Sequence, residues 1–442
     1  MDSDLYRRLK DEIDRISVID THEHIEPERQ RLGRKLDVFY LFSHYASSDV
    51  ISAGLPIREI EWVRDLEQSL DERWRRFSPF WERARDTAYC QVVLIAIRDL
   101  FGIDDLNDDT YRAISEKLVE SNREGWLKYV LRERANIEVA IQNVDHLDVD
   151  PELFVPVQIW FDMFAMASSR KELWDLEARA GISIHTFDDL LRGVDITFEQ
   201  AIEAGIVGVK TALAYQRPIH FEKVTKHDAE AAFNRITYHL DPLQERWYGP
   251  GGSAWRELKP MQDYVIHYTI RRAIDLGLPV QVHTGLQEGS GNVIINSNPV
   301  LLANLFNEYP EAQFDVFHGG YPYCSEMATL AKNFPNVYID MCWLHAISPT
   351  VSRRALHEWL ETVPSNKVLG FGGDYLFVEG TYGHLQLAKR DIARVLAEKV
   401  EERYLSEERA VRLAHKLLRE NAMELFKLDR RCPIQPQPAP EG

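Results

Sequence analysis

Short runs of β-branched and aliphatic residues, each ending in a polar residue or glycine, recur along this chain with helix-period amphipathic stretches between them. There are eight: Ile16–Asp20 (ISVID), Ile137–Asn143 (IEVAIQN), Leu153–Trp160 (LFVPVQIW), Ile206–Thr211 (IVGVKT), Leu278–His283 (LPVQVH), Ala312–His318 (AQFDVFH), Val337–Met341 (VYIDM) and Val368–Phe371 (VLGF). Strands joined by helical crossovers pair in parallel, which predicts an α/β protein. Eight of them fit a closed (β/α)8 or TIM barrel, since an open sheet would usually leave an edge strand reading as amphipathic. Helix starts support the crossovers. Asn298-Pro299 supplies a cap and first-turn proline before VLLANLFNEYP, and Thr186 precedes FDDLL with Asp189 at the third helical position.

A minimal barrel needs about 250 residues, and this chain has 442. Most of the surplus falls between strands one and two, over residues 36–134, in helical patterns such as WVRDLEQSLDERWRRFSPFWERA and TAYCQVVLIAIRDLFGI. This predicts a large helical insertion closing over the barrel mouth. A second excursion, Arg217 to Pro260, holds the turn-rich YGPGGSAW and predicts a long loop after strand four. No internal repeat is seen. One barrel domain over residues 1–430 is expected, followed by a Pro-rich disordered tail, 431–442.

Composition narrows the class of partner. The chain carries 70 acidic against 52 basic residues, a formal charge of -18, which repels nucleic acid and anionic membranes. A small-molecule substrate is expected, and any anionic group on it needs a local Arg or Lys. The amino-terminal MDSDLYRRLKDEIDRI is charged rather than a signal core, and no apolar run approaches the ~20 residues of a membrane span, so a cytoplasmic location is the default. Cys90, Cys324, Cys342 and Cys432 are too scattered for a disulfide framework and predict reduced, packing thiols.

In a parallel barrel the carboxyl ends of the strands converge on one face, so their end residues meet whatever their separation in sequence. Strand one ends in Asp20-Thr21-His22-Glu23-His24, strand four carries Lys210, strands five and six end in His283 and His318, and strand eight runs into Gly372-Gly373-Asp374. Residues two apart in extended chain point the same way, so His22 and His24 can approach one divalent ion. Each residue alone has an ordinary explanation: a polar loop, a histidine bonded to a carbonyl, a Gly-Gly-Asp turn, a lysine whose stem packs. Together, at one end of five strands, they indicate a metal site.

THEH, the strand-four lysine in VGVKTALAYQRP, HTG, HGGYP and GGDY, in that strand order, resemble the amidohydrolase superfamily. VFHGGYPYCSEMATLAKNFPNVYIDMCW and KVLGFGGDY resemble its amidohydrolase-related (amidohydrolase 2) branch, which includes the fungal FluG-type amino-terminal domain. The resemblance implies His22, His24, His283 and Asp374 as ligands of one ion, typically zinc, with His318 as a further ligand or catalytic histidine. It implies Asp374, His318 and Lys210 as catalytic groups. A carboxylated Lys210 would bridge two ions, whereas an unmodified one would face substrate; the branch is usually mononuclear, which favours one ion. Asp374 would take a proton from water activated by the ion, His318 would stabilise the oxyanion, and Asp20, Glu23 or Glu26 would orient the ligating imidazoles.

Substrate contacts are expected just beyond the ligands: Tyr215, Arg217, Tyr321, His345 and Tyr375, with Glu379 nearby. Arg217 is the candidate for a bidentate grip on a carboxylate. The segments SAGLPIREI, RDLFGIDDLN and ANIEVAIQN resemble uronate isomerase, a superfamily member with its own helical insertion. Thr-Gly-Leu-Gln after His283 and Gly-Gly-Asp-Tyr on strand eight depart from that family's substrate-binding signature. A metal-dependent hydrolase of a C–N, ester or lactone bond in a small polar, carboxylate-bearing substrate is the first expectation. An aldose–ketose isomerase or non-oxidative lyase using the same ligands is the alternative, and a vestigial, non-catalytic barrel the third reading. A homo-oligomer built through the insertion is also expected.

Overall fold

The computed structural model describes residues 3–144, 149–159, 161–236 and 255–431. Eight parallel strands follow one another around the sheet in chain order: β1 Val18–Glu23, β2 Ile137–Val144, β3 Phe154–Gln158, β4 Gly208–Thr211, β5 Val280–Val282, β6 Phe314–Val316, β7 Val337–Asp340 and β8 Val368–Leu369. The ring closes where the chain beyond β8 returns alongside β1. Thr21 N–H donates to Phe371 O (3.2 Å), Asp374 N–H to His22 O (2.8 Å) and His24 N–H to Tyr375 O (3.1 Å). The fold is the expected (β/α)8 barrel.

Two element boundaries differ from the sequence reading in ways that matter. β1 does not stop at Asp20 but continues to Glu23, because the backbone beyond β8 supplies it with partners. The segment after β4 is partly helical: Lys226–Ile236 forms one helix and Trp255–Leu276 another, with Pro260 inside it. The greater part of YGPGGSAW lies outside the described residues, as do Trp160 and the tail from Cys432 onward. Both helix starts read from sequence are present. Thr186 and Asp189 form a reciprocal capping box, and the Asn298 side chain accepts from Val300 N–H.

Between β1 and β2 the chain forms helices Ala46–Ser52, Ile57–Arg64, Leu70–Ala84, Ala88–Ala96 and Tyr111–Ser121. Their apolar faces, including Val50, Val63, Phe77, Trp81 and Leu118, are buried in the main hydrophobic core. The insertion is also pinned by a buried ion pair. Arg31 Nη2 lies 2.7 Å from Glu379 Oε1, with side-chain exposures of 1% and 0%, and Trp126 Nε1 donates to the same oxygen (2.8 Å). Glu379, expected near substrate, is thereby engaged as an anchor for the insertion. Among the described residues, no helix is long and apolar enough to cross a membrane.

Removing one partner of a buried pair leaves an uncompensated charge at a cost of about 3–5 kcal/mol. Arg31→Ala should destabilise by roughly that amount in denaturant unfolding; a loss below about 1 kcal/mol would show that Glu379 is stabilised by other means.

Candidate metal centre

β1 projects His22 and His24 into the barrel mouth, and the turn after β8 brings Asp374 against them. His22 Nε2 and His24 Nε2 are 3.1 Å apart and lie 3.5 and 3.3 Å from Asp374 Oδ1. Two imidazole nitrogens and a carboxylate oxygen converging on one point form a donor set suited to a first-row divalent ion. His22 is buried, whereas the His24 side chain is 34% exposed. Of the two imidazoles, His24 is the one that opens to solvent.

Close approach of β8 to β1 requires the two glycines of GGDY. A Cβ at Gly372 would meet Thr21 Oγ1 at 2.6 Å and Cys342 Sγ at 2.8 Å, and one at Gly373 would overlap the Glu23 carboxylate. Asp374 itself has φ 59°, and His318 and Trp343, at the ends of β6 and β7, have φ 65° and 63°. Side chains in this left-handed region cost of order 1–3 kcal/mol each and persist only where the surroundings hold them. Here Asp374 N–H is held by His22 O and Trp343 N–H by Gly372 O.

The protonation states suit ligation. Burial, with the Lys210 ammonium beside it, pushes His22 well below its ordinary value, so its imidazole stays neutral. For Asp374 burial acts upward, but its polar neighbours, the hydrogen bond from His24 first among them, outweigh it and hold the carboxyl well below the usual range. Neutral imidazole and ionised carboxylate are the forms that bind a metal.

His283 stands beside this trio rather than in it. Its Nδ1 faces His318 Nε2 at 2.9 Å and its Nε2 faces the Leu286 carbonyl at 3.0 Å. The reason lies in the HTG turn. Gly285, at φ 73°, folds the chain back so that the Leu286 carbonyl reaches the ring. His318 completes the link, its Nδ1 lying 3.8 Å from Asp374 Oδ2; burial holds its imidazole neutral to about 3. Lys210 Nζ is 3.2 Å from His22 Nε2 and 4.3 Å from the centre of the Phe317 ring. Burial lowers its pKa against the pull of Asp374.

The expected orienting carboxylates bond to backbone N–H groups and hydroxyls. Asp20 accepts from His22 N–H and Gly373 N–H, Glu23 from Tyr375 N–H and Thr381 Oγ1, and Glu26 from the Tyr40 hydroxyl. Asp20 and Glu23 hold the β1–β8 seam together, and Glu26 ties the chain after β1 to the insertion.

The expected substrate contacts divide. Tyr215, 38% exposed, stands over His283 with ring centres 4.7 Å apart, and Tyr321 borders the mouth. Tyr375 is buried against Tyr45 and Phe377. Arg217 does not offer the expected carboxylate grip: it is fully buried, 2.7 Å from Asp263 Oδ1, and donates to Gln262 and to the carbonyls of Pro218 and His220. Its carboxylate partner is inside the protein. His345 is likewise buried, with Nδ1 facing Ser352 Oγ (2.5 Å) and Asp391 (3.4 Å) and Nε2 facing Gly370 O (3.2 Å); it braces β7 and β8 rather than facing substrate.

Sequence reasoning missed two contributors. Tyr45, from the insertion, lies near Asp374, and burial together with that carboxylate's charge pushes its phenol upward. Cys342 groups with His318 and Asp374 within 4.8 Å. The general expectation of a lid over the mouth was the one signal pointing toward Tyr45.

A (β/α)8 barrel with a β1 histidine pair and a β8 aspartate at its carboxyl face defines a metal-site enzyme fold. The chain belongs to the amidohydrolase family, whose model matches residues 199–428, just over half of it and including Lys210, His283, His318 and Asp374. Protein fluG of Emericella nidulans is 25% identical over 355 residues, 74% of this chain but only 39% of that protein's own length. A uronate isomerase of Rhizorhabdus wittichii is 22% identical over 448 residues, covering 92% of each chain. In structure, uronate isomerase from Thermotoga maritima superposes with a TM-score of 0.78 at 16% identity, over 96% of this chain and 97% of that one, which establishes the shared fold.

Behind the site, His384 Nδ1–H donates to Gly373 O (3.0 Å), and burial drops it from its ordinary value near 6.5 to about 3. Between those values the unfolded state binds the extra proton, so this histidine's contribution to stability is lost as pH falls from about 6.5 toward 3. His384→Phe should therefore flatten the acid limb of metal-free protein by up to about 1.4 kcal/mol per pH unit. Parallel wild-type and variant curves in urea titrations from neutral to acid pH would contradict this.

Proposed function

We propose that the protein is a metal-dependent hydrolase acting on a C–N, ester or lactone bond of a small polar substrate. The observation that carries this reading is the division of the Asp374 carboxylate. Oδ1 faces the β1 histidines and Oδ2 faces His318, so one side chain spans the ligand point and the proton-carrying histidine pair. A divalent ion held by His22, His24 and Asp374, with zinc the favoured metal, would supply Lewis acidity and lower the pKa of water to about 7. Asp374 holds the proton taken from the attacking water and returns it to the leaving group. The neutral His318, oriented by its 2.9 Å contact with His283, stands beside Asp374 to move a proton to or from that carboxylate. One ion is favoured, on the His22, His24 and Asp374 trio.

Aldose–ketose isomerisation is the second reading. The full-length likeness to uronate isomerase favours it, while the burial of Arg217 against Asp263 removes the carboxylate anchor that a uronate would need at that position.

Metal analysis of purified protein should give about one divalent ion per chain, with loss of most of it in His22→Ala and His24→Ala. Two ions per chain would overturn the mononuclear site. Asp374→Asn should lower turnover by about 10²–10⁴-fold. Across a panel of amides, lactones, esters and uronates, products summing to substrate plus water support hydrolysis, and solvent deuterium fixed on substrate carbon without water addition supports isomerisation.

A further inference from the structure

The insertion and the β5 loop flank a cleft of about 400 Å³. Two of its lining side chains lie next to the metal centre: Tyr45, whose buried phenol feels the Asp374 carboxylate, and Trp343, whose ring centre lies 5.3 Å from that of His318. Its wall is a ladder of near-parallel rings. Tyr45 stacks on Trp343 (4.3 Å between centres, 20°), and Tyr89 lies parallel to both, at 5.2 Å from Tyr45 and 6.1 Å from Trp343. Two carboxylates, Asp49 and Glu288, line the same cleft. Asp49 accepts from Thr87 Oγ1. Arg64 is close enough to act on Glu288 electrostatically, yet its guanidinium donates to the Phe42 carbonyl and makes no ion pair with Glu288 among the described residues.

A separate observation points to a ligand. Trp343 is 1% exposed, and its Nε1–H has no hydrogen-bond partner among the described residues; the buried Tyr89 hydroxyl has none among them either. Orphaned buried donors cost about 1–3 kcal/mol each, and both lie on rings that line this cleft. They suit an acceptor such as an amide oxygen, while the carboxylates and electron-rich rings suit a cation.

Resting on the hydrolytic reading of the metal centre, we propose that the substrate carries a primary ammonium group, bound between Asp49 and Glu288 beside the aromatic ladder, with its carbonyl end toward the metal. An anionic substrate would meet two carboxylates in the cleft. A carboxylate-bearing substrate, expected from Arg217, is therefore replaced by an amine-bearing one.

The test uses the zinc-loaded full-length protein and three acetamides carrying, at the end of a four-carbon chain, an ammonium, a methyl or a carboxylate group. Titration calorimetry should show the ammonium probe binding about tenfold tighter than the methyl probe, a gain typical of a desolvated cation beside aromatic rings, with the carboxylate probe weakest. In Asp49→Asn and Glu288→Gln the ammonium-to-methyl ratio should fall toward one. Equal affinities, a preference for the carboxylate, or no binding by any probe would overturn the proposal; the wild-type ratio decides even if a variant fails to fold. Acetate release is followed in the same samples. Ammonium-selective binding without acetate release would count against hydrolysis and leave the cleft assignment standing, whereas release without ammonium preference would do the reverse.

Discussion

The seam between β1 and the backbone beyond β8 is the constraint on which the site depends. Parallel pairing there closes the barrel and, in the same hydrogen bonds, sets Asp374 against His22 and His24. The seam forms only because Gly372 and Gly373 leave room for Thr21, Cys342 and the Glu23 carboxylate. Had β8 ended in residues with side chains, the strands could not approach closely enough for a carboxylate on one to share a ligand point with two imidazoles on the other. Barrel closure and metal geometry are thus one structural event.

Beneath the site the barrel interior is polar. Asp20, Gln281, Asp315 and Asp340 are completely buried, where many barrels pack branched aliphatic side chains. Desolvation pushes Asp20 and Asp340 up to about 7 and Asp315 well above its ordinary value. Buried carboxyls relieve their desolvation cost by holding protons or accepting hydrogen bonds, and Gln281 bridges two elements of this layer by donating to Thr21 O and Asp315. The result is a floor from which Asp374 differs sharply. It is the carboxylate that neighbouring donors keep ionised, and so the one suited to ligation and proton transfer.

The insertion turns an open barrel mouth into a bounded cleft. Its anchoring through Arg31 and Glu379 lies behind the site, while Tyr45, Asp49 and Tyr89 reach the front of it. The scaffold is shared with uronate isomerase over nearly its whole length, but a fold does not dictate specificity; in the proposed amine-binding cleft it comes from these loop and insertion side chains.

Much of this was legible in the chain itself. Strand periodicity located all eight strands, because alternation of buried apolar runs and amphipathic segments is a local property of sequence. The strand-end rule likewise singled out His22, His24, Lys210, His283, His318 and Asp374, since parallel topology alone brings strand ends together. What the sequence could not say was how each polar side chain spends its hydrogen bonds. Arg217, His345 and Glu379 looked like ligand contacts because they follow site strands, yet Asp263, Asp391 and Arg31 claim them. His283, expected as a fourth ligand, is set by the turn at Gly285 with its ring against a carbonyl and against His318. The sequence by itself therefore determined which residues arrive at the carboxyl face of the barrel, because backbone periodicity is local. Only the tertiary structure decided which of them remain available for chemistry, because a buried polar group is committed by whichever distant partner desolvation places beside it.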